Sequence, residues 1–196
     1  MKKNIITISR EHCTGGLDIA RKVAQDLNIP FYDKELITMA AKESGLSEES
    51  IAAVEKRHSA SLLYSLYTMG GDLPLNDQVY IIQSHIVSQL AEKGPCVIVG
   101  RCADYILEDR DDVLNVFVHA GKDYRAKRIV LLYGETDKPP AKRLAEKDKK
   151  RALNYRHYTG RAWGDVHNYD LSLDSGRLTP EGCVEIITRV VQEKNK

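Results

Sequence analysis

A β-branched run, Asn4-Ile5-Ile6-Thr7-Ile8-Ser9, runs into a polar turn with paired glycines, Gly15-Gly16. Apolar residues then recur at helical spacing: Leu17, Ala20, Val23, Ala24 and Leu27. The alternation predicts a strand, a glycine turn and a helix, the opening of a parallel α/β sheet. Three later short, mainly apolar runs read as buried strands: Cys96 to Val99, Val113 to Val118 and Tyr169 to Leu173. Thr179-Pro180 is a helix start signal, and Cys183, Ile186, Ile187, Val190 and Val191 form the inward stripe of a final helix.

The middle of the chain lacks that rhythm. From about Lys34 to Lys93 only helical patterns occur, broken by Gly45, Gly70-Gly71 and Pro74. Asn76 is placed to cap a helix whose stripe is Val79, Ile82, Ile86 and Leu90, closed by Gly94. A second departure is Lys138 to Arg161. It carries Lys138, Lys142, Arg143, Lys147, Lys149, Lys150, Arg151, Arg156 and Arg161 against Glu146 and Asp148 alone. The pattern predicts one domain over residues 1–196: a core of about 1–37, 94–137 and 165–196, a helical insertion of about 38–93, and a basic segment of about 138–164.

Composition narrows the classes. Across 196 residues, 29 Lys and Arg stand against 28 Asp and Glu, so no global charge steers the chain to nucleic acid. The basic segment leaves the remainder net acidic. The four cysteines show no CxxC pair or zinc spacing, which predicts free, reduced thiols. No apolar run reaches membrane-spanning length, and the expected location is cytoplasmic.

Three clusters carry chemistry. The first is Ser9-Arg10-Glu11-His12-Cys13-Thr14-Gly15-Gly16, between strand and helix. Backbone N–H groups of a glycine turn and a helix N-terminus together form an anion site; the simpler reading is a tight turn that needs glycine. An ordinary phosphate loop reads GxxxxGK[ST]. Here the lysine position falls on Gly16 or Leu17, and Asp18 lies near the metal-ligating position. Arg10, or failing that Arg21, is the candidate replacement cation; a salt bridge to Glu11 or Asp33 is the structural alternative for Arg10. The second cluster is Gly100-Arg101-Cys102-Ala103-Asp104, at the end of a buried strand, where an arginine suits phosphate. The third is Arg125 and Arg128, on one face of a helix that leads into the basic segment.

These stretches, with Ile29 to Leu36, Asp148 to Gly160 and Asn168 to Leu171, resemble the cytidylate kinases, and more closely the cytidylate-kinase-like family. The resemblance implies a three-layer P-loop kinase fold: a parallel sheet between helices, a helical insertion binding nucleoside monophosphate (NMP), and an arginine-rich lid. It puts Thr14, Gly15 and Gly16 on the donor phosphates, Asp33 at the start of the monophosphate subdomain, and Arg101 on the acceptor phosphate with Asp104 close by. Asp18 and Arg125 complete the nucleotide-binding candidates, and Asp33, Arg101 and Asp104 are the substrate-binding ones. Arg125 and Arg128 would lead into the lid, Arg151, Arg156 and Arg161 would face the transferring group, and Asp174 lies where a similar acid sits near the nucleotide. The catalytic candidates are then Arg10, from its place in the turn, with Arg128, Arg151, Arg156 and Arg161. The implied cofactors are ATP and Mg²⁺, with no metal held by a dedicated protein cluster. The implied partner is a nucleotide or a small phosphorylated substrate, with neither membrane nor nucleic acid, and homo-oligomerisation open. Cytidylate kinases keep GKG[ST] in the loop, and this chain does not.

Three readings follow. The leading one is an ATP-dependent phosphotransferase acting on a nucleoside monophosphate or a similar small acceptor. The others are a nucleotide-binding sensor without turnover, favoured by the missing lysine, and a small RNA- or anion-binding module using the basic segment.

Overall fold

The computed structural model describes residues 5–33 and 74–194. Most of the predicted insertion, 38–93, therefore lies outside the described residues. The opening run forms β1 (Ile5–Arg10) and the amphipathic stretch after it α1 (Gly16–Leu27). There follow β2 (Phe31–Tyr32), α2 (Leu75–Lys93), β3 (Cys96–Val99), α3 (Ala103–Ile106) and β4 (Val113–His119). The chain closes with α4 (Lys122–Tyr133), α5 (Pro140–Thr159), β5 (Leu171–Asp174), α6 (Ser175–Leu178) and α7 (Pro180–Lys194). A 3₁₀ turn, Val166–Asn168, precedes β5.

Among the described residues the strands form one parallel sheet, ordered β2-β3-β1-β4-β5. The strand period of two sorts its residues between two cores. Ile5, Cys96, Ile98 and Val113 pack on one face with Val79, Ile86, Val87 and Leu90 of α2. Ile6, Ile8, Val97, Val99, Val116 and Val118 pack on the other with α1 and α7. Ile6 and Ile8 are fully buried, and each such side chain adds about 1.5–3 kcal/mol of apolar transfer. Helices on both faces of a parallel sheet are the predicted three layers.

Several boundaries differ from expectation. The two-residue β2 was not anticipated, because two residues cannot display a period. Asn76 does not cap α2: the helix opens at Leu75 behind Pro74, placing Asn76 inside its first turn. The last strand begins at Leu171 rather than Tyr169, because the 3₁₀ turn holds Tyr169 through its N–H to the Val166 carbonyl. Most of the basic segment forms α5, which opens with Pro140 at its first position and closes on Gly160 at φ 71°. Leu144 of α5 packs with Ile129 of α4 and Cys13.

Strand order reverses its direction of growth at β1, with β3 on one side and β4 on the other. A crevice at the carboxyl end of that strand is where open α/β sheets take ligands. The loop 11–15 lies there.

Candidate functional site

The loop owes its shape to local bonds. Gly15 caps α1 at φ 82°, a left-handed value that glycine adopts without strain. Thr14 is buried; its Oγ1 donates to the Glu11 carbonyl (3.1 Å) and accepts from the Gly16 N–H (3.2 Å). The Thr14 carbonyl accepts from Ser175 Oγ of α6 (2.7 Å), and the Glu11 N–H donates to the Val118 carbonyl (3.0 Å). Among the described residues the amides of Cys13 and Gly15 meet no acceptor. They remain available to an anion at the start of α1.

Arginines surround this loop. Arg128 of α4 brings Nη2 to 3.4 Å from where a Cβ on Gly15 would lie, and sits 3.9 Å from Asp18. Arg10, the last residue of β1, pairs with Asp33 at 3.6 Å, the salt-bridge alternative raised for it. Its carbonyl accepts from Nη1 of Arg151 on α5 (3.1 Å). Burial first, then the like charges of Arg151 and Arg101 against the opposing pull of Asp33, push the Arg10 guanidinium down to about 9. Burial chiefly, with Arg101 adding to it, also lowers Arg151, against Asp148. Arg10 thus holds its charge against both neighbouring arginines and Arg151 holds its own against Arg101, a cluster that favours a multivalent anion.

The turn that supplies Arg101 is strained. Gly100, Arg101 and Cys102 take φ values of 72°, 60° and 54° in succession. Left-handed non-glycine residues cost of order 1–3 kcal/mol each and cluster where function sets the geometry. Asp104 follows, buried, accepting from the Tyr155 hydroxyl of α5 at 2.6 Å. Burial raises its carboxyl above the usual range, with the Tyr155 bond opposing.

Arg125 has a different setting from its helix neighbour. Its side chain, 7% exposed, donates from Nε to the Ala120 carbonyl (3.0 Å) and from Nη1 to Asp148 (2.5 Å), with Glu11 at 3.4 Å. Asp148 also accepts the His12 N–H (2.7 Å), so α5 grips the loop directly. Burial first, then Arg151, pushes the His12 imidazole down to about 4, which leaves it neutral at pH 7.

The remaining candidates lie further out. Arg161 pairs with Glu108 and lies over the Tyr105 ring at 4.9 Å. Arg156 is exposed on the last turn of α5. Asp174, ending β5, accepts from the N–H groups of Gly176 and Arg177 and caps α6. Arg21 pairs with Asp18 on the outside of α1 at 3.3 Å and lies over Phe31, away from the crevice. Asp148, Tyr155, Tyr80 and Tyr158 are the residues that sequence reasoning passed over. Tyr80 of α2 and Tyr158 of α5 stack at 3.8 Å, and the Tyr158 hydroxyl donates to Asn76 and Asp77. Asp148 had one legible signal, an acid in a basic run.

For Mg²⁺ the fit is limited. No group of three metal-ligating side chains occurs among the described residues, and Leu17 fills the hydroxyl position. Asp18, 68% exposed, is the acid at the start of α1 that could meet a nucleotide-borne ion. The four cysteines are free and buried, and burial pushes the Cys102 thiol up to about 12. Among the described residues no helix is long and apolar enough to cross a membrane.

A sheet of this order, a glycine turn at its switch point and converging arginines define the P-loop kinase class. Solved structures agree on the fold. The chain matches shikimate kinase from Bacteroides thetaiotaomicron at a TM-score of 0.57 and 14% identity, covering 96% of this chain and 98% of that one. It matches an uncharacterized protein from Eubacterium ventriosum at 0.72 and 26% identity, covering 97% and 99%. The model of the cytidylate kinase-like family matches residues 5–177. The chain belongs to that family. Among curated relatives, the cytidylate kinase of Archaeoglobus fulgidus is 26% identical over 196 residues, covering 96% of this chain and 95% of its own. That of Pyrococcus horikoshii is 23% identical over 190 residues, covering 96% and 88%.

Proposed function

We propose that the protein is a cytoplasmic ATP-dependent phosphotransferase whose acceptor is a nucleoside monophosphate or a similarly small phosphorylated molecule. The observation that carries this reading is the convergence of Arg10, Arg101 and Arg151, in which Arg151 donates to the Arg10 carbonyl and both Arg151 and Arg101 disfavour the charge of Arg10, beside a glycine turn with available amides. Phosphoryl transfer needs positioning and neutralisation of spreading negative charge more than covalent chemistry, and cations at these places supply both. Thr14, Gly15 and Gly16 with Arg128 hold the donor phosphates in this reading. Arg101, Asp33 and Asp104 line the acceptor side, and Arg10 and Arg151 stand between the two. Asp18 would be the acid placed to meet a nucleotide-borne Mg²⁺, which would supply shielding of the donor phosphates.

The test is a thermal-shift series with ATP, Mg²⁺ and the common nucleoside monophosphates, followed by assay of phosphate transfer. A ligand at 100 times its Kd adds about 2.7 kcal/mol of stability. ATP should stabilise the protein, at least one monophosphate should be phosphorylated, and Arg101→Ala should weaken acceptor binding far more than folding. ATP binding without transfer to any acceptor would select the sensor reading. No response to any nucleotide would overturn both.

A further inference from the structure

We infer that Arg10 and Gly16 are a reciprocal exchange: the cation an ordinary phosphate loop carries at the position of Gly16 is carried here by Arg10, and Gly16 is glycine because the stem of Arg10 fills its side-chain space. The inference rests on reading the loop as a phosphate site. The left-handed Gly15 that caps α1 sets the register of GxxxxGK[ST] on this chain. In that register the first glycine becomes Arg10, the second is Gly15, the lysine becomes Gly16 and the hydroxyl residue Leu17.

The geometry joins the two changes. A Cβ on Gly16 would lie 2.7 Å from Arg10 Cβ and 3.0 Å from its Cγ, closer than carbon atoms approach without something shifting. Gly16 is the first residue of α1 and not among the positive-φ residues, so backbone conformation makes no demand for glycine there. The demand is steric, and Arg10 makes it. At the far end of the same side chain, a Cβ on Gly100 would lie 2.6 Å from Arg10 Nη1. Gly100 has a second reason to be glycine, its φ of 72°, so Gly16 is the position where the stem of Arg10 makes the demand.

The sheet register explains why Arg10 can take that path. β1 pairs with β3 only as far as Ile8 and Val99, yet continues beside β4 to Arg10 and Val118. On the β3 side Arg10 therefore has no strand beside it, and its side chain crosses Gly100 to reach Asp33. A side chain at either position 10 or position 16 would start from nearly one point. Moving the charge to position 10 sends it toward Arg101 and Asp33 rather than leaving it above the loop, while 20% of the Arg10 side chain stays exposed.

The test needs Arg10→Gly, Arg10→Ala, Gly16→Ala and Gly16→Lys, singly and combined, with thermal unfolding and the binding of inorganic tripolyphosphate as readouts. Gly16→Ala should lower the melting temperature in the wild-type and Arg10→Ala backgrounds, since both keep Cβ at position 10. It should lower it far less in Arg10→Gly. Arg10→Gly should weaken tripolyphosphate binding at least tenfold, and adding Gly16→Lys should recover most of that loss. If a single variant fails to fold, folding of its double partner gives the same support, and failure of the doubles overturns the exchange. Equal cost of Gly16→Ala in all backgrounds, or no recovery by Gly16→Lys, also overturns it, while wild-type binding leaves the phosphate-site reading intact. A wild-type protein that binds neither tripolyphosphate nor ATP overturns that reading, and the exchange as a phosphate device with it, whatever the stability coupling shows.

Discussion

Arg125→Met separates two roles for one residue, a nucleotide ligand or a buried brace of the loop. The guanidinium bonds the Ala120 carbonyl and Asp148 and lies 3.4 Å from Glu11, with its own side chain 7% exposed. Removing one partner from a buried ionic network costs about 3–5 kcal/mol, because the charge left behind is uncompensated. Here two carboxylates remain, with side chains 17% and 25% exposed, so water reaches both in part. Each also keeps a backbone donor, His12 N–H for Asp148 and Ala120 N–H for Glu11. Both facts place the cost at the low end, about 3 kcal/mol. In a chain of 196 residues that lowers the melting temperature by roughly 6–12 °C, at about 2–4 °C per kcal/mol. Urea unfolding and calorimetry measure it. Arg125→Lys should fall between, since one ammonium cannot span the carbonyl and both acids. A variant within about 1 kcal/mol of wild type that has lost nucleotide binding tenfold would refute the brace and make Arg125 a phosphate ligand.

Other expectations are briefer. The folded-state carboxyl of Asp104 is raised by burial, so the fold holds that proton more tightly than the unfolded chain and loses stability as pH climbs above about 3.9. Asp104→Asn, which keeps an acceptor for Tyr155, should therefore raise the melting temperature more at pH 8 than at pH 4; equal gains would count against a strained carboxylate. His12 is depressed to about 4, so its contribution is present above about 6.5 and lost as pH falls toward 4. Its ring resonances should report a neutral imidazole at pH 5.5, and an imidazolium there would contradict the burial. Tyr158→Phe keeps the stack on Tyr80 but loses the hydroxyl's bonds, about 1 kcal/mol. Tyr158→Ala loses the stack as well and should speed hydrogen exchange at the end of α5; unchanged exchange would mean the stack does not hold that helix.

The parts of the fold legible in the sequence were those with a long enough repeat. Ile5 to Ile8, Cys96 to Val99 and Val113 to Val118 announce buried strands because each has apolar residues on both faces, and α1 and α7 announce themselves by their stripes. β2 pairs through Phe31 and Tyr32 alone, too few residues to show any period. Asn76 has the chemistry of a cap, yet Pro74 ends the extended chain first and the helix begins behind it.

The site was legible by residue type but not by allegiance. Arg125 and Arg128 are alike in sequence and three apart, yet one packs inward against Asp148 and Glu11 while the other reaches Gly15. Only three-dimensional placement of the acids decides which cation is neutralised, and those acids come from positions 11 and 148. The basic run drew attention for its positive charge, while its informative member is Asp148. Reversing that one charge's environment would need the helix, the loop and Arg125 to move together, because Asp148 bonds all three: it is carried on α5, takes the His12 amide and holds Arg125. A helix so attached cannot swing as a free arm. On the proposed reading, nucleotide entry loosens the Asp148 contact to the His12 amide or acts around it, and Asp148→Asn, which keeps the acceptor and drops the charge, should shift nucleotide on-rates if loosening is the step. Unchanged on-rates beside lowered stability would leave Asp148 a brace alone.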